Sequence, residues 1–491
     1  MSDTRESLPL ACGRQPDAAR ANGLALAVLL ACQAMLVIDG TVVYAALPAL
    51  RADLGLARAD LSWVQNAYML TFGGFILLGA RVGDLLGHRR IFVAASAAFV
   101  LASITGGIAQ SVQGLLIARA AQGVAGAFAA PSALALLMLL FPAGAARVRA
   151  IGLYTAVSGG GSAVGLVLGG ALTDLASWRS VLFINVPIGV VLLAFAPRCL
   201  PGAPRNHGRF DVMGASTVTL GMSLLVYALI RCVHDGAGDP GVVVSFVAAG
   251  LSLAAFVFIE GRVAQPITPL SLFADLQRSG ALASRMLLIG GMLGTFFFLT
   301  QYVQGALGFS ALRAGLAFLP LSVTQCLMVI YGVPRLMPRL GAKGLLTGGL
   351  SIAAIGMIAL GKIPANAGFF ADLAWPVFLL GLGTGAALVP LTTAGIAGVG
   401  AGQAGAASGL VNATHYLGGA TGTALIVLIV ESALNRSAGV REFGGPASGS
   451  HTKAELAQAL SVAATTSAAF LGLALVIVLV TMRRHGAQPP A

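Results

Sequence analysis

An acid and a base inside long apolar runs are the residues of this sequence best suited to chemistry. Asp39 follows the apolar stretch 35–38, and Arg119 follows the stretch 115–118. A charge in hydrocarbon is costly, so each of the two needs a partner or a function. Asp39 lies near the outer end of an outward-running helix and Arg119 near the start of an inward-running one. The sequence therefore predicts that both lie in the outer half of the bilayer, at depths that allow contact.

Reversible protonation is the chemistry that such a pair offers. Burial favours the neutral form of Asp39 and a neighbouring Arg119 favours its charged form, so helix movement changes the affinity for a proton. We predict that Asp39 is the principal proton carrier and that Arg119 sets its proton affinity. The alternative is a purely structural ion pair. His415 is the second candidate carrier, because imidazole titrates near neutral pH.

A second acid lies in the short segment 80–90 between the second and third apolar runs. Asp84 is surrounded there by the turn glycines Gly83 and Gly87 and by the cations Arg89 and Arg90. An anion is favoured at a helix N terminus, so this tight loop is predicted to hold a facing helix. A basic loop that only anchors the chain at the membrane surface is the alternative.

Small residues dominate the fifth apolar run, which contains Gly161, Gly165, Gly169 and Gly170. Such residues allow close helix packing, and packing alone would explain them. The functional alternative is a pliable, closely packed helix that rocks against its neighbours during transport.

These residues are carried by a chain whose composition fits a membrane protein. It has 491 residues, of which 57% are hydrophobic and 9% charged, whereas soluble domains have about 25% charged residues. Spanning requires roughly 20 apolar residues. The predicted spans are residues 24–48, 61–80, 91–110, 115–140, 150–172, 181–197, 212–231, 241–260, 281–305, 313–333, 344–361, 373–398, 405–430 and 460–482.

Basic residues set the predicted orientation. The net charge is +12, but its cations form short clusters between apolar runs, which argues against nucleic-acid binding. With the N terminus inside, 19 of the 29 Lys and Arg fall on cytoplasmic segments, and Arg285 is counted among these. Outer segments hold nine and Arg119 completes the total. The positive-inside rule then predicts that both termini are cytoplasmic.

Signatures of other protein classes are missing. The five cysteines form no CxxC pair, so neither a disulfide framework nor a zinc site is predicted. The sequence has no GxxxxGK[ST] phosphate loop and no HExxH motif. We therefore expect no cofactor, no metal and no ATP drive.

Taken together, these motifs resemble the major facilitator superfamily, and within it the fourteen-helix drug/proton antiporters. The resemblance covers nearly the whole chain. Its further motifs are Asp39-Gly40-Thr41, Gln122-Gly123, Trp178-Arg179, 183–189, Gln301-Tyr302, 315–320, 407–410, Asn412, Gly418 and Gly419. The sequence departs from the family pattern at Ala80, Leu85, His88, Leu166 and His415-Tyr416.

The resemblance implies an all-α fold of two six-helix bundles with two inserted helices. The implied parts are a cytoplasmic tail (1–22), an N-terminal bundle (23–198), a linker with two extra helices (199–280), a C-terminal bundle (281–482) and a second cytoplasmic tail (483–491). A central cavity between the bundles would alternate its access. Candidate cavity residues, besides Asp39, are Tyr44, Gln122, Ser158, Asn412, His415 and Tyr416.

The implied function is proton-coupled export of small lipophilic, neutral or monovalent cationic compounds, such as drugs, antibiotics or a secondary metabolite. The second half has no acid well inside a helix to offset a second cargo charge. The expected setting is a bacterial plasma membrane, with a monomer surrounded by lipid and no nucleic-acid partner. Uptake or lipid flipping on the same fold stays open, because fold does not determine direction or cargo. A membrane-embedded enzyme or sensor is a remote alternative.

Overall fold

The structure is a computed structural model that describes residues 16–54, 58–142, 144–202, 211–236, 238–263, 266–309, 311–364, 367–400, 403–438 and 453–482. All regular elements in these ranges are helices. The first half contains α1 (Pro16–Leu54), α2 (Arg58–Leu86), α3 (His88–Gly107), α4 (Val112–Leu140), α5 (Ala145–Leu175), α6 (Trp178–Phe183) and α7 (Asn185–Cys199). Two inserted helices follow, α8 (Val212–Asp235) and α9 (Pro240–Glu260).

The second half contains α10 (Ser271–Ala274), α11 (Leu276–Gln301), α12 (Ala311–Ala317), α13 (Leu319–Leu327), α14 (Val333–Leu360), α15 (Ala374–Gly395), α16 (Ala404–Ala438) and α17 (Lys453–Thr481). Short π-helical turns lie at Tyr302–Ala306, Met328–Gly332 and Phe369–Leu373. An all-helical chain is what lipid requires, because a helix satisfies its backbone hydrogen bonds internally. The prediction of an all-α protein is confirmed.

Polar residues at the helix starts explain several of the observed boundaries. Ser111 Oγ accepts a hydrogen bond from the Gly114 amide at the start of α4, and Asp211 accepts one from Gly214 at the start of α8. Such caps satisfy backbone donors that the first helical turn leaves unpaired. The short loops therefore carry the signals that separate one apolar helix from the next.

Twelve segments of the described chain are long and apolar enough to cross a membrane. One of them, Arg313–Leu360, has 48 residues, about twice the length that one crossing needs. Within it Gly341 has a φ of 67°, which interrupts the helical backbone. The 31-residue helix α5 is not among the twelve. The predicted count of fourteen crossings stays a prediction.

Helix packing divides the molecule into two halves. In the first, α1 lies along α5 and α2 along α4, while α3 contacts α4 and α7. In the second, α11 lies against α16 and α17, and α14 against α15 and α17. Two seams join the halves, one formed by α2 and α4 with α16 and the other by α5 with α12, α13 and α15. The inserted helix α8 pairs with α9 and also contacts both α2 and α16.

Two sequence expectations about position need correction. Arg285 was counted among the cytoplasmic cations although it lies within the predicted span 281–305, and the structure places it inside α11, which begins at Leu276. The predicted span 405–430 ends too early, because α16 continues to Ala438. This helix extends beyond its apolar run, since polar residues near a helix end do not by themselves stop it.

Candidate functional site

Asp39 and Arg119 form a direct ion pair between α1 and α4. Arg119 Nη1 donates to Asp39 Oδ2 at 2.7 Å. Both residues have 0% of their surface exposed. Two charges removed this completely from water are tolerable only when further hydrogen bonds satisfy their remaining donors and acceptors.

Three polar side chains complete the surroundings of the Asp39 carboxylate. Its Oδ1 accepts hydrogen bonds from Gln122 Nε2 at 3.0 Å and from Asn185 Nδ2 at 2.7 Å. The same two amides also donate to Ser103 Oγ, at 2.7 and 3.2 Å respectively. The carboxylate is therefore held by donors from α4 and α7, and α3 supplies the Ser103 hydroxyl.

The Arg119 guanidinium is also well satisfied, mainly by α2. Its Nε donates to the Val64 carbonyl at 3.1 Å and its Nη2 to Gln65 Oε1 at 3.2 Å. Nη1 makes a second bond to Gln122 Oε1 at 2.8 Å. The guanidinium also lies 4.6 Å from the centre of the Tyr68 ring, a cation–π contact. We call Asp39, Gln65, Ser103, Arg119, Gln122 and Asn185 the buried polar network.

Sequence reasoning found the two charges of this network and missed three of its neutral members. Gln65, Ser103 and Asn185 were assigned no role, although Asn185 lies in a motif of the family resemblance. An uncharged polar side chain carries a smaller burial penalty than a charge, so it stands out less in an apolar run. Gln122 was predicted as a cavity residue, and the structure places it in the network with 0% exposure.

Asp84 binds the start of α16 across one of the two seams. Its carboxylate accepts hydrogen bonds from the backbone amides of Gly405 at 2.9 Å and Ala406 at 3.1 Å. His88 Nε2 lies 3.1 Å from the same carboxylate. Asp84 was predicted to lie in a tight loop, but α2 continues to Leu86, so the acid lies in the last turn of that helix. It holds a facing helix N terminus, where backbone amides and the helix dipole favour an anion. The two bonds join the halves at the end of α2 and the start of α16.

Glycines make this close approach possible. A Cβ at Gly405 would overlap the Asp84 carboxylate, and a Cβ at Gly83 would overlap the His88 ring. Gly87 has a φ of 94°, a conformation that residues with a Cβ rarely adopt. Two cations follow Asp84 in the sequence. Arg89 donates to the Pro197 carbonyl at 2.5 Å, and Arg90 is exposed.

The four glycines of the fifth apolar run, which forms α5, divide into two groups. Gly161 and Gly165 of α5 face α1, where a Cβ at Gly165 would overlap Thr41 Oγ1 and one at Gly161 would come within 3.1 Å of an α1 side chain. Gly169 is buried, and a Cβ at Gly170 would meet no atom within 4 Å. Close packing of α5 on α1 is therefore carried by Gly161 and Gly165.

The predicted cavity residues have different surroundings. Ser158 Oγ accepts a hydrogen bond from Gln33 Nε2 at 2.7 Å, which links α5 to α1. Asn412 donates to a carbonyl one turn earlier in its own helix. The Tyr44 side chain lies outside the described residues. The contacts of Ser158 and Asn412 do not bring these two residues together.

His415 and Tyr416 lie at the junction of the halves. The Tyr416 ring is 4.1 Å from the Phe72 ring of α2 and 5.3 Å from the His415 ring, measured between ring centres. Arg285 lies on α11, which packs against α16, and its Nη1 donates to Thr392 Oγ1 of α15, which packs against α5, the helix of Tyr154. Aromatic and polar groups from both halves therefore meet here. Among the described residues, no group of three or more His, Cys, Asp or Glu could hold a metal ion.

Comparison with known proteins assigns the chain to a family. A sequence model of the Major Facilitator Superfamily matches residues 29–423. The chain belongs to the major facilitator superfamily. It is therefore a multi-pass membrane transporter and not an enzyme, as the sequence predicted.

Among its relatives in this superfamily are proteins of antibiotic export and resistance. The chain is 40% identical to the cephamycin export protein of Amycolatopsis lactamdurans, over 84% of this chain and 86% of the relative. It is also 40% identical to the puromycin resistance protein of Streptomyces alboniger, over 82% of this chain and 80% of that one. These relatives confirm the prediction of an exporter of small molecules.

A solved structure shows the same fold. The human organic anion transporter MFSD10 superposes with a TM-score of 0.63 over 94% of this chain and 100% of that chain. Sequence identity to it is 15%, so the likeness concerns the fold alone. The predicted major facilitator fold is confirmed.

Proposed function

We propose that this transporter exports small lipophilic compounds in exchange for protons by alternating access. The observation that carries the proposal is the Asp39 carboxylate of α1, which is fully buried yet held by side chains from α4 and α7. A carboxylate of this kind is the chemical group that proton carriage requires. Because the chain belongs to a transporter superfamily, a mobile charge is a better explanation than a structural pair alone.

Coupling in this proposal depends on the distance between Asp39 and Arg119. While the guanidinium lies against the carboxylate, the charged form of Asp39 is favoured. Movement of α1 relative to α4 separates the two and favours protonation. A proton would then bind from outside and leave to the cytoplasm while cargo moves outward, without ATP.

The Asp84 contact with α16 supplies the inner gate in this proposal. Its two bonds to Gly405 and Ala406 exist only while the inner ends of α2 and α16 are together. Breaking them would open the cytoplasmic side. The glycines of α5 that pack on α1 would allow these helices to shift against each other.

Cargo charge depends on the buried charges of the second half. Neutral or monovalent cationic cargo is proposed because that half has no acid well inside a helix. It does have a cation there, Arg285, which was predicted on a cytoplasmic segment. A neutral cargo is unaffected by this cation, whereas a cationic cargo close to it would be repelled.

The proposed setting is a bacterial plasma membrane, with both termini in the cytoplasm and one chain as the working unit. The basic residues on inner segments support this orientation. Uptake or lipid flipping on the same fold is the alternative function. Export is favoured because the relatives described above are named for export and resistance.

Proteoliposomes that contain the purified chain test the proposal. An imposed proton gradient should drive concentrative movement of a neutral lipophilic dye, and dye added without a gradient should release protons. Asp39→Asn should abolish both effects and leave folding intact. Asp235→Asn is the matched control, because Asp235 pairs with Arg231 at an exposed position on α8. Gradient-driven transport at the normal rate in Asp39→Asn would contradict the assignment of Asp39.

A further inference from the structure

A second buried cation lies in the C-terminal half, and its surroundings differ from those of Arg119. Arg285 Nη1 donates to Thr392 Oγ1 of α15 at 2.7 Å. Its Nε is buried and has no hydrogen-bond partner. No carboxylate among the described residues lies within 4 Å of this guanidinium, whereas Arg119 has Asp39 at 2.7 Å. Arg285 is therefore a cation without a counter-ion in the described part of the chain.

Its depth in the membrane makes this arrangement expensive. At 1.5 Å per residue, Arg285 lies about 14 Å along α11 from the inner end of that helix. Tyr154 lies about 14 Å along α5 from its inner end, and His415 about 17 Å along α16. Arg285 and His415 therefore lie inside apolar spans, where a guanidinium cannot lose its proton and needs an anion.

Further hydrogen-bonding groups near Arg285 are unpartnered. The Tyr154 hydroxyl is buried and forms no hydrogen bond, although Tyr154 is only 6% exposed. The ring nitrogens of His415 form no hydrogen bond with the described residues. His415 lies on α16, which packs against α11, the helix of Arg285. Tyr154 lies on α5 of the first half, which packs against α15, the helix whose Thr392 accepts the hydrogen bond from Arg285. One cation and two hydrogen-bond donors, contributed by both halves, are therefore without an acceptor among the described residues.

We propose that Arg285, Tyr154 and His415 bind the acidic group of a lipophilic anionic cargo between the two halves. The Nε and Nη2 edge of Arg285 forms no hydrogen bond with the described residues, and this edge matches a carboxylate through two parallel hydrogen bonds. Tyr154 adds a hydroxyl donor from the facing half. The aromatic rings of Tyr416 and Phe72, 4.1 Å apart, offer an apolar surface nearby for the rest of the molecule.

This inference deepens the proposed export function and rests on it for transport, but the binding site is testable separately. The probes are three dansyl-labelled compounds with the same alkyl chain, ending in a carboxylate, a methyl ester or a trimethylammonium group. Binding is measured by dansyl fluorescence on the purified full chain. Transport is measured in proteoliposomes of phosphatidylcholine alone, so that no anionic lipid headgroup competes.

The decisive variants are Arg285→Gln, Arg285→Lys and the control Arg335→Gln, which changes an exposed arginine on α14. A charge-assisted hydrogen bond contributes about 1.5–3 kcal/mol, so Arg285→Gln should weaken carboxylate binding about 10- to 100-fold. Binding of the ester should stay within about 2-fold, because no charged bond is lost. Arg285→Lys should retain part of the carboxylate affinity, and Arg335→Gln should match the wild type.

The possible outcomes distinguish failure of the binding site from failure of the proposed export function. Equal carboxylate affinity in wild type and Arg285→Gln would overturn the site, whatever the transport rates are. Arg285-dependent binding without gradient-driven transport would support the site and contradict the proposed export. Equal loss of all three probes in Arg285→Gln would assign Arg285 to packing or gating, and would also overturn the site. Should Arg285→Gln fail to fold, Tyr154→Phe replaces it, with carboxylate-selective weakening expected.

Competition with lipid separates the two sources of an acidic group. Vesicles with added phosphatidylglycerol offer phosphate headgroups at the same protein. Carboxylate transport that is unchanged by this lipid supports a cargo site. Displacement of the carboxylate probe by phosphatidylglycerol, lost in Arg285→Gln, would overturn the cargo assignment in favour of a lipid site.

Discussion

Asp39 is held by three side chains, and Asn185 is the one whose contribution is easiest to isolate. Arg119 and Gln122 each bond to other network members as well as to Asp39. Asn185 carries no charge and donates through one nitrogen to Asp39 Oδ1 and Ser103 Oγ. Removing it leaves the ion pair in place and takes one donor from the carboxylate.

We expect Asn185→Ala to loosen the positioning of the Asp39 carboxylate and to reduce coupled transport. A hydrogen bond to a charged group contributes about 1.5–3 kcal/mol, so the network around the carboxylate loses stabilisation of that order. The measurement is the rate of proton-driven dye transport in proteoliposomes, which should fall about 10-fold or more. Asn22→Ala, at an exposed position, is the control. An unchanged transport rate would show that Asn185 has no influence on the carrier.

At the residue scale, the sequence predicted charges well and their neutral partners poorly. Asp39 and Arg119 stand out because no neighbour within their runs explains a charge. Ser103 and Gln65 look like any polar residue whose side chain bonds to its own helix. Only the packing of α2, α3 and α4 against each other shows that these two face the ion pair.

Between elements, the contact of Asp84 with α16 is the clearest inter-half bond. Its geometry is that of an ordinary helix cap, except that the carboxylate comes from a different part of the chain. Asp275 makes a comparable cap at the start of α11, accepting from the Gln277 and Arg278 amides. The two caps share their chemistry and differ in whether they join the halves.

We therefore expect Asp84→Asn and Asp275→Asn to have different effects. Loss of the anion costs about 1 kcal/mol at either helix start. Asp84→Asn should speed hydrogen exchange of the Gly405 and Ala406 amides several-fold and impair transport. Asp275→Asn should affect only the first turn of α11 and leave transport near the wild-type rate. Normal efflux in Asp84→Asn would remove the gate from the proposed mechanism.

Asp53 joins the C-terminal end of α1 to the start of α6. Asp53 accepts hydrogen bonds from Trp178 Nε1 at 2.9 Å and from Arg179 Nη1 at 2.7 Å. Arg179 Nη2 also reaches the Ala109 carbonyl after α3. The bond from Trp178, and then that from Arg179, holds the pKa of Asp53 below its ordinary value.

The hydrogen bonds from Trp178 and Arg179 to Asp53 should weaken in acid. Because the pKa of Asp53 is lowered in the folded state, its contribution to stability is present above the unfolded pKa and is lost as pH falls through the folded one. We expect hydrogen exchange of the 178–182 backbone, corrected for intrinsic rates, to increase below about pH 4 in the wild type. Asp53→Asn should remove this pH dependence. Equal pH dependence in both proteins would assign the effect to another group.

At the scale of the whole molecule, the inserted helix α8 packs against both halves. It contacts α2 of the first half and α16 of the second, and so covers the seam that contains the Asp84 bond. Gly74 of α2 permits this approach, because a Cβ there would overlap Ser223 of α8. The apolar runs predicted these two helices, and the family resemblance implied that they are inserted between the bundles. Their location was not predictable, because an apolar helix has the same pattern whichever neighbour it packs against.

The number of crossings is the remaining whole-molecule prediction. Arg313–Leu360 has 48 residues, and the positive φ of Gly341 divides it close to the cations Arg339 and Lys343. A segment of this length cannot lie straight in one bilayer of about 30 Å, since it would span about 72 Å as a single helix. Two crossings with the cations on the inner side agree with the positive-inside rule.

Reporter fusions along the chain test this count together with the orientation. Fusions after Arg205 and after Arg339 should report the cytoplasm, and fusions after Lys362 and after Gly439 should report the outside. The pair at Arg339 and Lys362 is the sensitive one, because a single crossing over Arg313–Leu360 would place Arg339 within the membrane and give no clear signal on either side. Fusions after Arg205 and Gly439 on the same side would contradict the orientation as a whole. A cytoplasmic signal at Arg339 with an outer signal at Lys362 would establish a crossing between them, the second of the two predicted within Arg313–Leu360, and with the signals at Arg205 and Gly439 would support fourteen crossings in the chain.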